Sequence, residues 1–127
     1  MSSDSTSLLD RGIFFFNSGR YFEAHEAWED MWREDHGPLR LLWQGLVQAA
    51  VGLHHLSRHN VIGGPSQLRK SIEKLDLYAA DEAGIDIARL REDLRQVLDL
   101  HKVGEAAAVR IIRLKSKPVV VESESAS

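Results

Sequence analysis

From Pro38 to His59 the chain reads PLRLLWQGLVQAAVGLHHLSRH. Leu39, Leu42, Trp43, Leu46, Val47, Ala49, Ala50, Val51, Leu53 and Leu56 point in almost every direction round a helix, and such a helix is stable only when other elements surround it. The segment is therefore predicted as the longest and most buried helix of a bundle, with Pro38 suited to its first turn. One stripe interrupts the apolar surface: Gln44, Gln48, His55 and His59 recur at i, i+4, i+11 and i+15. Gly45 and Gly52 beside it permit another backbone to approach closely. The stripe is either the solvent edge of the helix or one wall of a polar pocket.

Working outward, Gly19, Gly37-Pro38, Gly63-Gly64-Pro65, Gly84 and Gly104 separate stretches whose apolar residues recur at helical spacing. The first predicted helix runs from about Ser7, as N-cap, to Ser18, and the second from Tyr21 to Glu34. Ser66 is read as the cap of the fourth, with Leu68, Ile72, Leu75 and Ala79 on its buried face. Asp86 opens the fifth, where Leu90, Leu94, Val97 and His101 form one stripe. Glu105 to Leu114 reads as a further helix, Pro118 to Val121 as extended, and Glu122 to Ser127 as flexible. The expectation is all-α: a compact, single-domain antiparallel bundle of five helices with an irregular C-terminal tail. The domain takes in residues 1–127, with its ordered core over about 7–116 and flexible residues at 1–6 and 122–127. No repeat recurs along the chain.

The chain has 127 residues, 43% of them hydrophobic, enough for one core of ordinary size without a disulfide or metal staple. Sixteen Lys and Arg against 19 Asp and Glu leave a net charge of -3, so no basic footprint for nucleic acid or an anionic membrane is expected. The absence of cysteine removes thiol nucleophiles and thiolate metal sites, leaving His and carboxylates as strong ligands. With no basic, apolar export signal at Met1 to Ser7 and no apolar run of spanning length, the cytoplasm is the expected compartment. Phe14, Phe15 and Phe16 cannot all face one side of a helix, and an exposed ring there would favour a homo-oligomer.

The second helix contains the anomaly. At helical spacing Tyr21, Ala24, Trp28, Met31 and Trp32 share the core half, with Glu23, Ala27 and Asp30 opposite. His25 and Glu29 fall inside the apolar half, one turn apart, where an unpaired ionisable group costs at least about 1–3 kcal/mol. Each needs a partner or a ligand. His54 and His59 are expected at solvent or against the last carbonyls of the third helix, and His36 in a loop.

Several chemistries are excluded by spacing. His25-Glu26-x-x-Glu29 lacks the second His of a zinc peptidase. No carboxylate stands three residues before any of the six histidines, which removes the ferritin-like di-iron pattern. Neither G-x-S-x-G nor a phosphate-binding glycine loop is present. The joint pattern of Asn17-x-Gly19-x-Tyr21-Phe22-Glu23-Ala24, His25-x-x-x-Glu29-x-x-Trp32, Gln44-Gly45-Leu46-x-Gln48-Ala49 and Asn60-x-x-Gly63 resembles domain of unknown function family 309, over roughly Leu8 to Leu77. The resemblance implies a small all-helical domain with a metal site at the His25, Glu29 and Trp32 signature, and it assigns no reaction.

Two readings of the site follow. In the first, His25 and Glu29, framed by Trp28, Trp32, Gln44, Gln48 and His55, form an internal polar site that takes a divalent metal ion, with His55 or His59 as third ligand. The metal would activate water for hydrolysis. In the second, the chain is a non-enzymatic interaction or structural module, and His25 and Glu29 are a buried hydrogen-bonded pair finished by Gln44 or Gln48. A small ligand held without metal is a further variant of the pocket, its identity unspecified. From the charge balance we expect no mobility shift of duplex DNA by this protein at physiological salt. A tight, salt-sensitive complex would contradict that reading.

Overall fold

The computed structural model describes residues 2–100 and Ile111. Five α-helices follow one another: α1 (Ser2–Asn17), α2 (Tyr21–Glu34), α3 (Arg40–Ser57), α4 (Gly63–Leu75) and α5 (Ile87–Leu100), with a 3-10 turn at Glu82–Gly84. Among the described residues there is no strand, and consecutive helices pack on one another through short connections. The chain is an all-α bundle. None of these helices is long and apolar enough to cross a membrane. Apart from Ile111, the expected helix over Glu105 to Leu114 lies outside the described residues, as do the extended Pro118 to Val121, the tail and His101.

α3 is the centre, as its composition requires. Leu42, Leu46, Ala49, Ala50 and Leu53 are wholly buried between α2 on one side and α4 on the other. Contact with α4 is made close by glycine. A Cβ on Gly52 would stand 2.5 Å from Leu68 Cδ2 and 3.0 Å from the Gly64 carbonyl oxygen, and one on Gly64 would meet Leu56 Cγ at 2.6 Å. Ser71, the buried polar residue of this interface, donates its hydroxyl to the Gly45 carbonyl at 2.6 Å. On the other flank, α1 packs on α2 through Phe16, Tyr21 and Trp28, whose rings lie 5.4 and 5.6 Å apart centre to centre. Phe14 is 64% exposed and Phe16 buried, so the three phenylalanines do divide between core and surface.

The helix boundaries differ from the sequence expectation where side chains outside the apolar pattern set the turn. α1 starts at Ser2, because Ser, Asp and Thr are tolerated in the opening turns of a helix. α3 starts at Arg40, two residues after Pro38, because Asp35 holds the preceding turn. Its carboxylate accepts the Gly37 N–H at 2.7 Å and the Trp43 indole N–H at 2.6 Å. α4 starts at Gly63, three residues before Ser66, since Asn60 Oδ1 accepts the Gly63 N–H at 2.8 Å and closes the turn first. α4 ends at Leu75, leaving Ala79 outside it. At α5 the expectation matches: Asp86 Oδ1 accepts the Arg89 N–H. The Asn17 carboxamide binds both the N–H and the C=O of buried Ile111, at 2.8 and 2.9 Å, tying that residue to the end of α1.

The glycine contact gives a test in which two effects have opposite sign. Helix propensity alone makes Gly52→Ala stabilising by about 1 kcal/mol. Crowding against Leu68 and the Gly64 backbone makes it destabilising by about 1–3 kcal/mol. We expect a net loss in urea unfolding. A gain would mean that α3 and α4 do not meet here.

Candidate functional site

α2 is covered on two sides, which explains why its ionisable residues lie where they do. Trp28 turns towards α1, where its indole N–H donates to the Leu9 carbonyl at 3.2 Å and its ring occupies the space left by Gly12. Ala27, predicted on the outer face, is buried because it floors the groove between α1 and α2. His25 and Trp32 turn towards α3 instead, and Glu29 lies between the two sides, lining both the α1–α2 groove and the α2–α3 seam. The sequence grouped Trp28 with these three, but the structure places it on the far side of α2, away from them.

The seam between α2 and α3 holds two neighbouring cavities. One, of about 210 Å³, is lined by Phe22, His25, Val51, His54 and His55. The other, of about 160 Å³, is lined by Glu29, Trp32, Gln44, Val47 and Gln48. Between them His25 Nε2 stands 3.6 Å from Glu29 Oε2. The pair is less buried than the helix phase predicts, with side chains 22% and 37% exposed, because it sits at the mouth of the seam. Glu29 Oε1 also faces Arg33 Nη2 at 3.4 Å. The polar stripe of α3 is therefore divided: Gln44 and Gln48 face Glu29, and His55 shares a cavity with His25. His59 lies beyond the end of α3, exposed, with a positive φ of 64°.

Among the described residues, three buried side-chain polar atoms lack a hydrogen-bond partner: Trp32 Nε1, Arg40 Nε and Gln48 Oε1. All three belong to one neighbourhood. Trp32 and Gln48 line the smaller cavity, and the Arg40 guanidinium lies over the Trp32 ring, with Cζ 4.4 Å from its centre. Among the described residues Arg40 has no carboxylate in ion-pair contact, since nearby Asp35 is committed to Gly37 and Trp43. Sequence reading missed Arg40, although it extends the Gln44 and Gln48 stripe by one turn at i−4. It also missed Phe22 and Val51, which carry no polar signal; His54, expected at solvent or against the last carbonyls of α3, stands in the last turn of α3 and lines the larger cavity.

The donor set can be compared with that of a metal centre. No group of three His, Asp or Glu side chains comes together among the described residues. A hydrolytic zinc site uses three protein ligands and an open position. His25 and Glu29 offer two, neither His55 nor His59 completes them, and Arg33 faces one of the Glu29 oxygens. The described residues do not fit a mononuclear zinc centre.

A small all-helical protein with a partly polar seam between its second and third helices is the class these features define. The family model described as Domain of unknown function (DUF309) matches residues 9–65 of this chain. That span contains every residue lining both seam cavities. The chain is also similar to "Uncharacterized protein YpuF" of Bacillus subtilis (strain 168), 31% identical over 114 residues, which are 87% of this chain and 66% of that protein. An "Uncharacterized protein" of Aquifex aeolicus (strain VF5) is 24% identical over 103 residues, 80% of this chain and 31% of that one. This chain thus spans just under two thirds of one relative and under one third of the other.

His54 is the titrating group that reports on the larger cavity. Burial, first, and then the positive charges of Arg58, His55 and His25 lower its pKa below the ordinary histidine value, with Glu23 acting in the opposite direction. A histidine whose pKa is depressed by folding contributes stability that is present above the unfolded value, about 6.5, and is lost as pH falls through the folded value. We expect the His54 ring protons to titrate below that value by NMR. The melting temperature should fall on acidification from pH 6.5, and less so in His54→Gln. Asp35, lowered by its bonds to Gly37 and Trp43, acts at more acidic pH and leaves this window clear. A His54 titration at or above the ordinary value would show that the cavity is open to water.

Proposed function

We propose that this chain is a binding module that takes a small polar molecule, without metal, into the seam between α2 and α3. The observation that carries the reading is the convergence of the partnerless Trp32, Arg40 and Gln48 atoms beside one cavity. A buried donor or acceptor left unmade costs about 1–3 kcal/mol. Three in one place, two donors and one acceptor, favour a molecule that offers an acceptor and a donor together. The reading of His25 and Glu29 as a sealed structural pair is less well supported, since both side chains reach solvent and no hydrogen bond joins them to Gln44 or Gln48. The metal-dependent hydrolytic reading lacks a third ligand among the described residues. Binding, with no bond-breaking step, is the function the geometry supports best.

The reading predicts that function and stability oppose each other at Gln48. Gln48→Met replaces an unpaired amide by an apolar side chain of similar length and should raise stability by about 1 kcal/mol. In a thermal-shift screen of amino acids, carboxylates, amines, sugars and nucleobases, at least one class should raise the wild-type melting temperature by several degrees at about a hundredfold excess over Kd. Gln48→Met should not respond. Zn²⁺, Mn²⁺ and a chelator should leave the wild type unmoved. A destabilised Gln48→Met with no ligand response would show that the amide is a satisfied core group, and a chelator-sensitive wild type would restore the metal reading.

A further inference from the structure

Resting on the binding reading above, we infer that the ligand is a free α-amino acid with an apolar side chain. Its carboxylate lies at Arg40 and Trp32, its ammonium at Glu29 and Gln48, and its side chain in the cavity of Phe22, Val51 and His54.

The polar end selects the head group. Arg40 is a half-buried cation lying over the Trp32 ring without a carboxylate in contact among the described residues. A guanidinium over an aromatic face keeps its edge N–H donors for a planar anion, and a carboxylate matches that fork. The unpaired Trp32 N–H donates to the same anion. Gln48 Oε1, unpaired, needs a donor from the ligand, and the Glu29 carboxylate on the same cavity, which also faces His25 and Arg33, has lone pairs left to accept a further one. A fatty acid brings the anion without the donor, and a simple amine brings the donor without the anion. The zwitterion brings both, one charge against Arg40 and the other against Glu29.

The neighbouring cavity selects the side chain. Gln48 lines the smaller cavity and Val51 the larger, and Glu29 and His25 do the same on α2. The two spaces are therefore offset by about one helical turn, roughly 5.4 Å, which a Leu or Phe side chain spans from its Cα. The larger cavity presents the Phe22 ring, the Val51 methyls and the flat rings of His25, His54 and His55, a lining that exposes mostly carbon. Burial lowers the His54 pKa and so favours the neutral ring. An apolar ligand side chain matches the Phe22 and Val51 surfaces, whereas a charged one would be desolvated against them.

The test is calorimetric titration of the full chain with L-leucine, L-phenylalanine and L-alanine, then with leucinamide and N-acetyl-leucine, each of which lacks one charge of the zwitterion. Leucine and phenylalanine should bind at least about tenfold more tightly than alanine, and than either blocked analogue. Arg40→Gln should abolish binding, and Val51→Phe, which fills the apolar cavity, should reverse the preference in favour of alanine. The reversal in Val51→Phe shows that the variant is folded, so the proposal does not depend on Arg40→Gln alone. Leucinamide or N-acetyl-leucine binding as well as leucine would overturn the head-group assignment. No response to any amino acid, alongside a different compound that shifts wild type and not Gln48→Met, would overturn the ligand class and leave the seam reading intact. No response to any compound, with Gln48→Met no more stable than wild type, would remove both.

Discussion

A helix apolar on all sides must be enclosed on all sides, and α3 is that helix. Its enclosure by α4 is set at backbone distance, with Gly52 and Gly64 in mutual contact and Ser71 bonded to the Gly45 carbonyl. This near-flush face leaves α2 to cover the opposite side, and α2 brings larger side chains: Phe22, His25, Glu29 and Trp32. Large residues on α2 meet Gln44, Val47, Gln48 and Val51 on α3, and the fit leaves two cavities. α1 then has only the far side of α2 to cover, which Trp28 and Phe16 fill. The order of packing, tight on α4 and loose on α2, places the candidate site before any functional residue is considered.

The site's electrostatics follow from the same placement. His25 and Glu29 sit at the seam's mouth and remain partly hydrated, so they tolerate a loose 3.6 Å ion pair. Further in, Trp32, Arg40 and Gln48 have lost water without gaining partners. Elsewhere the fold satisfies comparable groups with care: Trp43 has Asp35, Trp28 has the Leu9 carbonyl, and Ser71 has the Gly45 carbonyl. Two of the three indoles are thus fully paired, and the exception faces a cavity. A protein that pairs its other buried donors among the described residues and leaves several unmade at one place has a site there, or a local cost with no evident return.

Much of the fold was legible because it rests on local patterning. The α2 limits, the central role of α3 and the Asp86 cap of α5 were all readable from the chain alone. The starts of α3 and α4 were not, since Asp35 and Asn60 act from outside the periodic segments by hydrogen bonds that no hydrophobic pattern records. His25, Glu29 and Trp32 were recognisable as ionisable or aromatic residues on a core face, and Gln44 and Gln48 as a polar stripe on an apolar helix. Trp28 was misgrouped because helix phase gives a direction and not the neighbour found there: α2 has two buried sides. Arg40 was missed because an arginine at a helix start reads as a solvated surface residue, and only the structure shows it over Trp32.

The central claim, that the seam holds polar groups waiting for a ligand, is most directly tested on the three tryptophan indole N–H resonances in a ¹⁵N-labelled sample. Hydrogen bonding deshields an indole proton. Trp43 and Trp28, bonded at 2.6 and 3.2 Å, should therefore resonate downfield of Trp32 in the free protein. On adding L-leucine, the Trp32 resonance alone should move downfield towards the other two. A Trp32 proton already as far downfield as that of Trp43, and unmoved by any compound offered, would contradict the account and make the seam an ordinary part of the core.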